Sequence, residues 1–282
     1  MRAAEHLALL RSAGLAPKKS FGQNFLVSDA VLARIAAACV PDEEVGRARV
    51  LELGAGLGAL TAVLTERAAH VTAVERDRDL VPVLREALRE PVSGGKLTVL
   101  EADAQGLDVG ALLGTGDAPR VLAGNLPYQI TGQLLRLAVE QADAVDRVVF
   151  MIQEEVAERL VAAPSTKAYG ALSVFVQAAF AVRVVVDVPP GAFAPPPRVS
   201  SAVVALSPRR PRLAEETEAF RALVKGAFGA RRKTLRNAWR GVADDAARLE
   251  AAAAAAGVSL DARGETLDVA AFARVAKALS SA

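Results

Sequence analysis

The stretch Arg49–Leu60, RVLELGAGLGAL, changes its period in the middle. RVLEL is short, β-rich and bounded by glycine, the pattern of a buried strand. From Leu57 to Ala68 the residues suit a helix. Between the two, Gly54, Gly56 and Gly58 alternate with other residues. Without a Cβ, such a loop lets backbone approach a ligand closely. The run also fits G-x-G-x-x-A, with Ala59 in the last place, which is a dinucleotide fingerprint. Alone, it marks either a nucleotide-binding turn or a plain strand-to-helix connection.

Working outward, further strand candidates are His70–Glu75, Leu97–Leu100, Arg120–Gly124 and Arg147–Ile152. Helical patterns at Arg78–Arg89 and Gly132–Gln141 lie between them. Alternating strands and helices predict right-handed crossovers and a parallel sheet covered on both faces. The pattern then changes. Val182–Val188 and Ser201–Ser207 are joined by a proline-rich loop with no helix between them, so they can pair antiparallel. An α/β fold with parallel strands ending in an antiparallel pair is the Rossmann-like sheet of class I methyltransferases. After Pro208 the chain reads as helices at Glu216–Ala227, Arg231–Val242, Asp244–Ala256 and Leu267–Leu279. Two domains are therefore expected, 1–208 for cofactor and catalysis and 209–282 as a small all-helical domain.

Composition narrows the classes. Hydrophobic residues make up 52% of the 282, enough for a sizeable core, but aromatics only 4%, so Ala, Val and Leu must fill it. The lone Cys39 excludes an intrachain disulfide and sits in an apolar run as a small hydrophobe. Charges interrupt every long apolar run, and the start of the chain lacks a signal-peptide pattern, so a cytoplasmic protein without membrane contact is expected. The net charge of +2 is uneven. Between Arg198 and Arg240 there are eleven Lys or Arg against three Asp or Glu, a local +8, which leaves −6 for the rest. That block suggests a polyanionic partner. Arg232, Arg236 and Arg240 recur at i, i+4 and i+8, a single stripe if the segment is helical, with Arg231 and Lys233 at its edge. Leu235, Trp239 and Phe228 would face the core.

The strand ends carry the chemistry. Glu75 ends the second strand, 21 residues after Gly54, where an acid can accept from two ribose hydroxyls. Asp103 follows the third strand and can accept from an adenine amine. Ligands of open α/β sheets bind at the carboxyl ends of strands, so Gly54, Gly56, Glu75 and Asp103 together point to a nucleoside cofactor. They do not separate S-adenosylmethionine from NAD.

The fourth strand end does. It reads Asn125-Leu126-Pro127-Tyr128. An exocyclic adenine amine is a poor nucleophile because its lone pair is delocalised into the ring. Two acceptors on its two N–H groups draw the nitrogen towards a pyramid and free that pair. The Asn125 side chain is one acceptor, and a backbone carbonyl at Leu126 or Pro127 is the other. Pro127 stiffens the turn. Tyr128 offers a stacking face, and Phe193, in a loop stiffened by prolines, can face the base from the other side. Methyl transfer by in-line attack needs positioning rather than a metal or a strong base. The two histidines, His6 and His70, form no cluster with metal-ligand spacing, so no metal is expected.

With KKSFGQNFL at Lys18–Leu26, ELGAGLGALT at Glu52–Thr61, NLPY at Asn125–Tyr128, QEEVAERLVAAPSTKAYGALSV at Gln153–Val174, VPPGAFAPPPRVSSAVV at Val188–Val204 and AFGARRKTLRNAW at Ala227–Trp239, the chain resembles the bacterial ribosomal RNA small-subunit adenine dimethyltransferases, the kasugamycin-sensitivity family. The resemblance implies that Asn24 and Leu26 contact the cofactor, with Asn125 also in its site, from a segment lying over the pocket. It implies S-adenosylmethionine as donor and S-adenosylhomocysteine as product. It also implies as substrate two adjacent adenines near the 3′ end of small-subunit RNA in an immature 30S particle, acted on by a monomer. Ala55, Gln129 and Glu154 depart from the family's usual proline, asparagine and lysine. Other readings are a macrolide-resistance methyltransferase of large-subunit RNA, a non-catalytic RNA-binding factor like the mitochondrial transcription-factor branch, and an NAD oxidoreductase.

Overall fold

The computed structural model describes residues 3–18, 21–243 and 245–281. Lys19 and Ser20 of the KKSFGQNFL segment, and Asp244 at the start of an expected helix, lie outside them. The chain divides into two compact units, 1–157 with 182–208, and 158–181 with 209–282.

The strands are β1 (Phe25–Leu26), β2 (Arg49–Leu53), β3 (His70–Glu75), β4 (Leu97–Glu101), β5 (Arg120–Asn125), β6 (Arg147–Gln153), β7 (Phe180–Val188), β8 (Phe193–Ala194) and β9 (Ser201–Pro208). Seven of them form the sheet of the first unit, in the order β4-β3-β2-β5-β6-β9-β7. The pairs β2–β3, β2–β5, β3–β4 and β5–β6 are parallel. β9 runs antiparallel to β6, and β7 forms the edge beyond it. This is the Rossmann-like arrangement expected from the alternating pattern. The strands are near-continuous apolar runs because both faces of a parallel sheet are covered. Val121, Leu122 and Ala123 are fully buried, as is Val148–Ile152. The unit also contains α1 (Ala3–Ser12), α2 (Asp29–Cys39), α3 (Ala59–Arg67), α4 (Leu80–Ala87), α5 (Arg89–Ser93), α6 (Val109–Leu113) and α7 (Thr131–Glu140). A separate two-residue ladder joins β1 to β8, antiparallel. Cys39 is buried with its thiol pKa pushed up by burial, so it behaves as an inert hydrophobe. No helix among the described residues is long and apolar enough to cross a membrane.

α8 (Glu154–Val161) carries the chain into the second unit. That unit holds α9 (Ala171–Ala179), α10 (Glu218–Gly229), α11 (Leu235–Ala238), α12 (Ala246–Ala255) and α13 (Val269–Ser281). Its core centres on Trp239, which is fully buried, donates from Nε1 to the Leu223 carbonyl at 2.8 Å and meets Phe272 edge-on at 6.2 Å. Two expectations are corrected here. The sequence pattern places all of 1–208 in one domain, but 158–181 packs with the helical unit. Tyr169 explains this: it is fully buried, donates to the Leu267 carbonyl at 2.9 Å and packs edge-on against Phe228 at 5.8 Å.

The second correction is the helix expected over Arg231–Val242, which shrinks to the single turn α11. The backbone N–H groups of Leu235 and Arg236 donate to the carbonyls of Ala262 and Leu260, both at 2.8 Å, and Thr234 bridges Arg263. A distant loop thus supplies the partners that a preceding helical turn would need. Leu235 and Trp239 still share the buried face, but Arg232 lies outside the helix and the three-arginine stripe does not form.

Trp239→Phe removes the Nε1–H donor and half of the fully buried indole, which leaves a gap in the core. It should lower the stability of the helical unit by about 1–3 kcal/mol. Denaturant melts followed by far-ultraviolet circular dichroism check this, and an unchanged midpoint would contradict it.

Candidate active site at the strand ends

The carboxyl ends of β2, β3, β4 and β5 open into one cleft lined by Gly54, Gly56, Glu75, Asp103 and the turn Asn125–Tyr128. The parallel sheet explains this meeting, since all four strands release their chains on the same side. Its wall is completed by the segment between α1 and α2, through Phe21, Asn24 and Phe25.

Gly54 and Gly56 have φ of +74° and +57°, a region that disfavours side chains. A Cβ on Gly56 would sit 3.4 Å from the Phe25 ring, and one on Gly54 would meet only Asn125 and Pro127 at 3.8 Å. The loop therefore keeps backbone, not side chains, at the cleft wall. Glu75 fixes it: Oε2 accepts from Gly56 N and Oε1 from Asp77 N, both at 2.7 Å. Burial raises the Glu75 pKa, partly offset by those two backbone bonds. Asp103 accepts from Gln105 N at 3.0 Å through Oδ1, and its Oδ2 lies 3.2 Å from Arg76.

The segment over the cleft is tied down through Asp77, which is almost fully buried. Lys18 Nζ lies 2.6 Å from Asp77 Oδ1, and Gln23 Nε2 donates to Oδ2 at 2.8 Å. Burial alone would raise the Asp77 pKa, but these bonds outweigh it and hold it below the ordinary carboxylate value. Phe21 sits between two cations, with Lys18 5.4 Å and Arg76 5.9 Å from its ring centre.

The Pro127 carbonyl already accepts from Ile130 N and Thr131 Oγ1, each at 3.1 Å. Asn125 Nδ2 donates to the Asn24 carbonyl at 3.3 Å, which leaves Oδ1 as its acceptor atom. Tyr128 shares a 2.7 Å hydroxyl–hydroxyl bond with the fully buried Ser201, so its ring is held at the cleft rim.

Two expected site residues do not line the cleft itself. Phe193 is only 4% exposed and packs in the core of the sheet unit, so it presents no face to the cleft. Leu26 pairs with Phe193 in the short ladder and is 5% exposed. It lines a smaller cavity behind the glycine loop rather than the cleft. Sequence reasoning missed Phe21, Phe25 and Arg76. The first two lie inside the KKSFGQNFL segment, whose position over the cleft was the available signal.

The basic block is partly neutralised. Arg231 pairs with Glu265 at 3.0 Å and donates to the Lys167 carbonyl, and Arg236 pairs with Glu250 and Asp261. Arg232, Lys233 and Arg240 are exposed and have no ion pair among the described residues. Among those residues no three His, Cys, Asp or Glu side chains group as metal ligands. His70 bonds Gly95 and Thr98 at the start of β3, the opposite end of the strand from the cleft.

A family model, ribosomal RNA adenine dimethylase, matches residues 14–281. The chain is 50% identical over 282 residues to ribosomal RNA small subunit methyltransferase A of Anaeromyxobacter sp. strain K, covering 96% of each. It is 42% identical to the protein of that name from Geobacter metallireducens, covering 96% of this chain and 98% of that one. Among solved structures it is similar to a dimethyladenosine transferase from Plasmodium falciparum, with a TM-score of 0.71, 23% identity and coverage of 89% and 95%. It also resembles the 23S rRNA methyltransferase ErmE, with a TM-score of 0.65, 28% identity and coverage of 91% and 100%. The strand-end cleft and these matches lead to one conclusion: the chain belongs to the ribosomal RNA adenine dimethylase family.

Proposed function

We propose that the protein is an S-adenosylmethionine-dependent methyltransferase that dimethylates N6 of two adjacent adenines near the 3′ end of small-subunit ribosomal RNA. The observation that carries this reading is the meeting of Gly54, Gly56, Glu75 and Asp103 with the Asn125–Tyr128 turn in one cleft. The first four suit a nucleoside, and the turn suits an amine being alkylated. The residues fit the cofactor: glycine backbone for close approach, a carboxylate held at the strand end for the ribose, and a second acid for the adenine amine.

When bound, S-adenosylmethionine supplies an electrophilic methyl on its sulfonium. The chain's own residues then position the attacking amine. Asn125 Oδ1 accepts from one N–H. The Leu126 carbonyl accepts from the other, since the Pro127 carbonyl is occupied within its own turn. Tyr128, fixed through Ser201, stacks on the flipped base. No strong base is needed, because the methylated ammonium loses its proton readily to solvent. S-adenosylhomocysteine is the product, and no metal takes part. The 50% identity to small-subunit enzymes, against 28% to ErmE, favours the small-subunit substrate over the large. The substrate is an immature 30S particle, met by a monomer in the cytoplasm. A larger thermal shift with S-adenosylhomocysteine than with NAD tests the cofactor. Methyl transfer to immature small subunits tests enzyme against passive binder.

The three cations without ion pairs among the described residues suit phosphate contacts that position the RNA without reading bases. Replacing Arg232, Lys233 and Arg240 together by Ala should weaken binding to immature particles. It should also flatten the salt dependence by up to about three units of slope, roughly one for each phosphate no longer neutralised. Cofactor affinity should not change. Equal affinity and slope in the triple variant would make these residues plain solvated surface.

A further inference from the structure

The segment over the cleft is bonded to both ends of it by neighbouring residues. Gln23 meets the end of β3, and Asn24 meets the end of β5. The Gln23 amide is fixed at both of its polar atoms. Oε1 accepts from Lys18 N and Nε2 donates to Asp77 Oδ2, each at 2.8 Å. Asp77 is 2% exposed, and its backbone N–H donates to Glu75 Oε1 at 2.7 Å. Gln23 is thus anchored on a buried carboxylate that is itself bonded to the acid at the strand end.

Asn24 turns the other way. Its side chain donates to the Gly22 carbonyl at 3.1 Å, and its own carbonyl accepts from Asn125 Nδ2 at 3.3 Å. The Asn125 side chain makes no second hydrogen bond among the described residues. A carboxamide has an accepting end and a donating end of nearly the same shape. Turned over, Asn125 would present N–H groups to an amine that needs an acceptor. The Asn24 carbonyl decides which end faces the amine, and the anchoring of Gln23 decides where the chain enters Asn24.

We propose that Gln23 is a positioning residue for methyl transfer. Held on Asp77, it keeps the Asn24 carbonyl where that carbonyl orients Asn125 Oδ1 toward the adenine amine. The inference rests on the reading of Asn125 given above and adds to it a residue that acts only through Asn125.

The test compares Gln23→Ala and Asn125→Ala, alone and together. Single-turnover methyl transfer to immature small subunits is measured at saturating S-adenosylmethionine. Gln23→Ala alone should slow transfer by about fivefold or more, since small misplacements at a reacting centre are costly. In the Asn125→Ala background it should slow transfer no further, because the side chain it orients is gone. Affinity for S-adenosylhomocysteine should change by less than about threefold, as Lys18 still ties the segment to Asp77. Gln23→Leu fills similar space without hydrogen bonds and should repeat these results, and melting curves show whether each variant is folded. An equal loss in both backgrounds would mean that Gln23 acts apart from Asn125, and would overturn the proposal. So would normal single-turnover rates with the loss confined to cofactor affinity, which would make Gln23 a support for the cofactor alone. An Asn125→Ala protein as fast as wild type, or a wild type that transfers no methyl group, would overturn it together with the reading of the cleft on which it rests.

Discussion

Asn125→Ala is expected to leave the protein folded and still able to bind S-adenosylmethionine, while its methyl-transfer rate should fall by about a hundredfold or more. In the proposed mechanism the side chain accepts one N–H of the amine. Its Nδ2 is engaged by the Asn24 carbonyl, which turns Oδ1 into the acceptor. Ala removes that acceptor and leaves the Leu126 carbonyl alone on the amine. The nitrogen then keeps its lone pair in the ring, and the barrier rises at the chemical step. Single-turnover rates at saturating cofactor check this. A normal rate at saturation, with the loss confined to cofactor binding, would contradict it.

Glu75→Ala has the largest expected effect on binding. Each charge-assisted bond to a ribose hydroxyl contributes about 1.5–3 kcal/mol, so losing even one weakens affinity by about tenfold to a hundredfold, and losing both by more. The same substitution also frees Gly56 N and Asp77 N, which loosens the glycine loop that Glu75 holds. Glu75→Gln keeps one acceptor oxygen and should fall between. Calorimetry with S-adenosylmethionine reads the effect, and unchanged affinity in Glu75→Ala would sink the assignment.

Much of the sheet unit was legible because its rules are local. Gly54, Glu75, Asp103 and Asn125 each follow a short apolar run, and parallel strands must deliver their ends to one side. Elements set by distant partners were not legible. The expected helix at Arg231–Val242 fails because Leu235 and Arg236 donate to Ala262 and Leu260, a choice no periodicity records. The segment 158–181 joins the helical unit because Tyr169 finds Leu267 and Phe228, far away in sequence. The prolines flanking Phe193 suggest a stacking face, yet the ladder with Leu26 turns it into the core. The proposed preference for the Leu126 carbonyl over that of Pro127 rests on hydrogen bonds inside the turn that no sequence pattern records.

The most direct measurement is mass mapping of modified adenines after the protein and S-adenosylmethionine are incubated with an immature small-subunit particle. The account predicts two methyl groups on N6 of each of two adjacent adenines near the 3′ end of the small-subunit RNA, and none without the protein. Modification confined to large-subunit RNA, or no transfer to adenine at all, would contradict it.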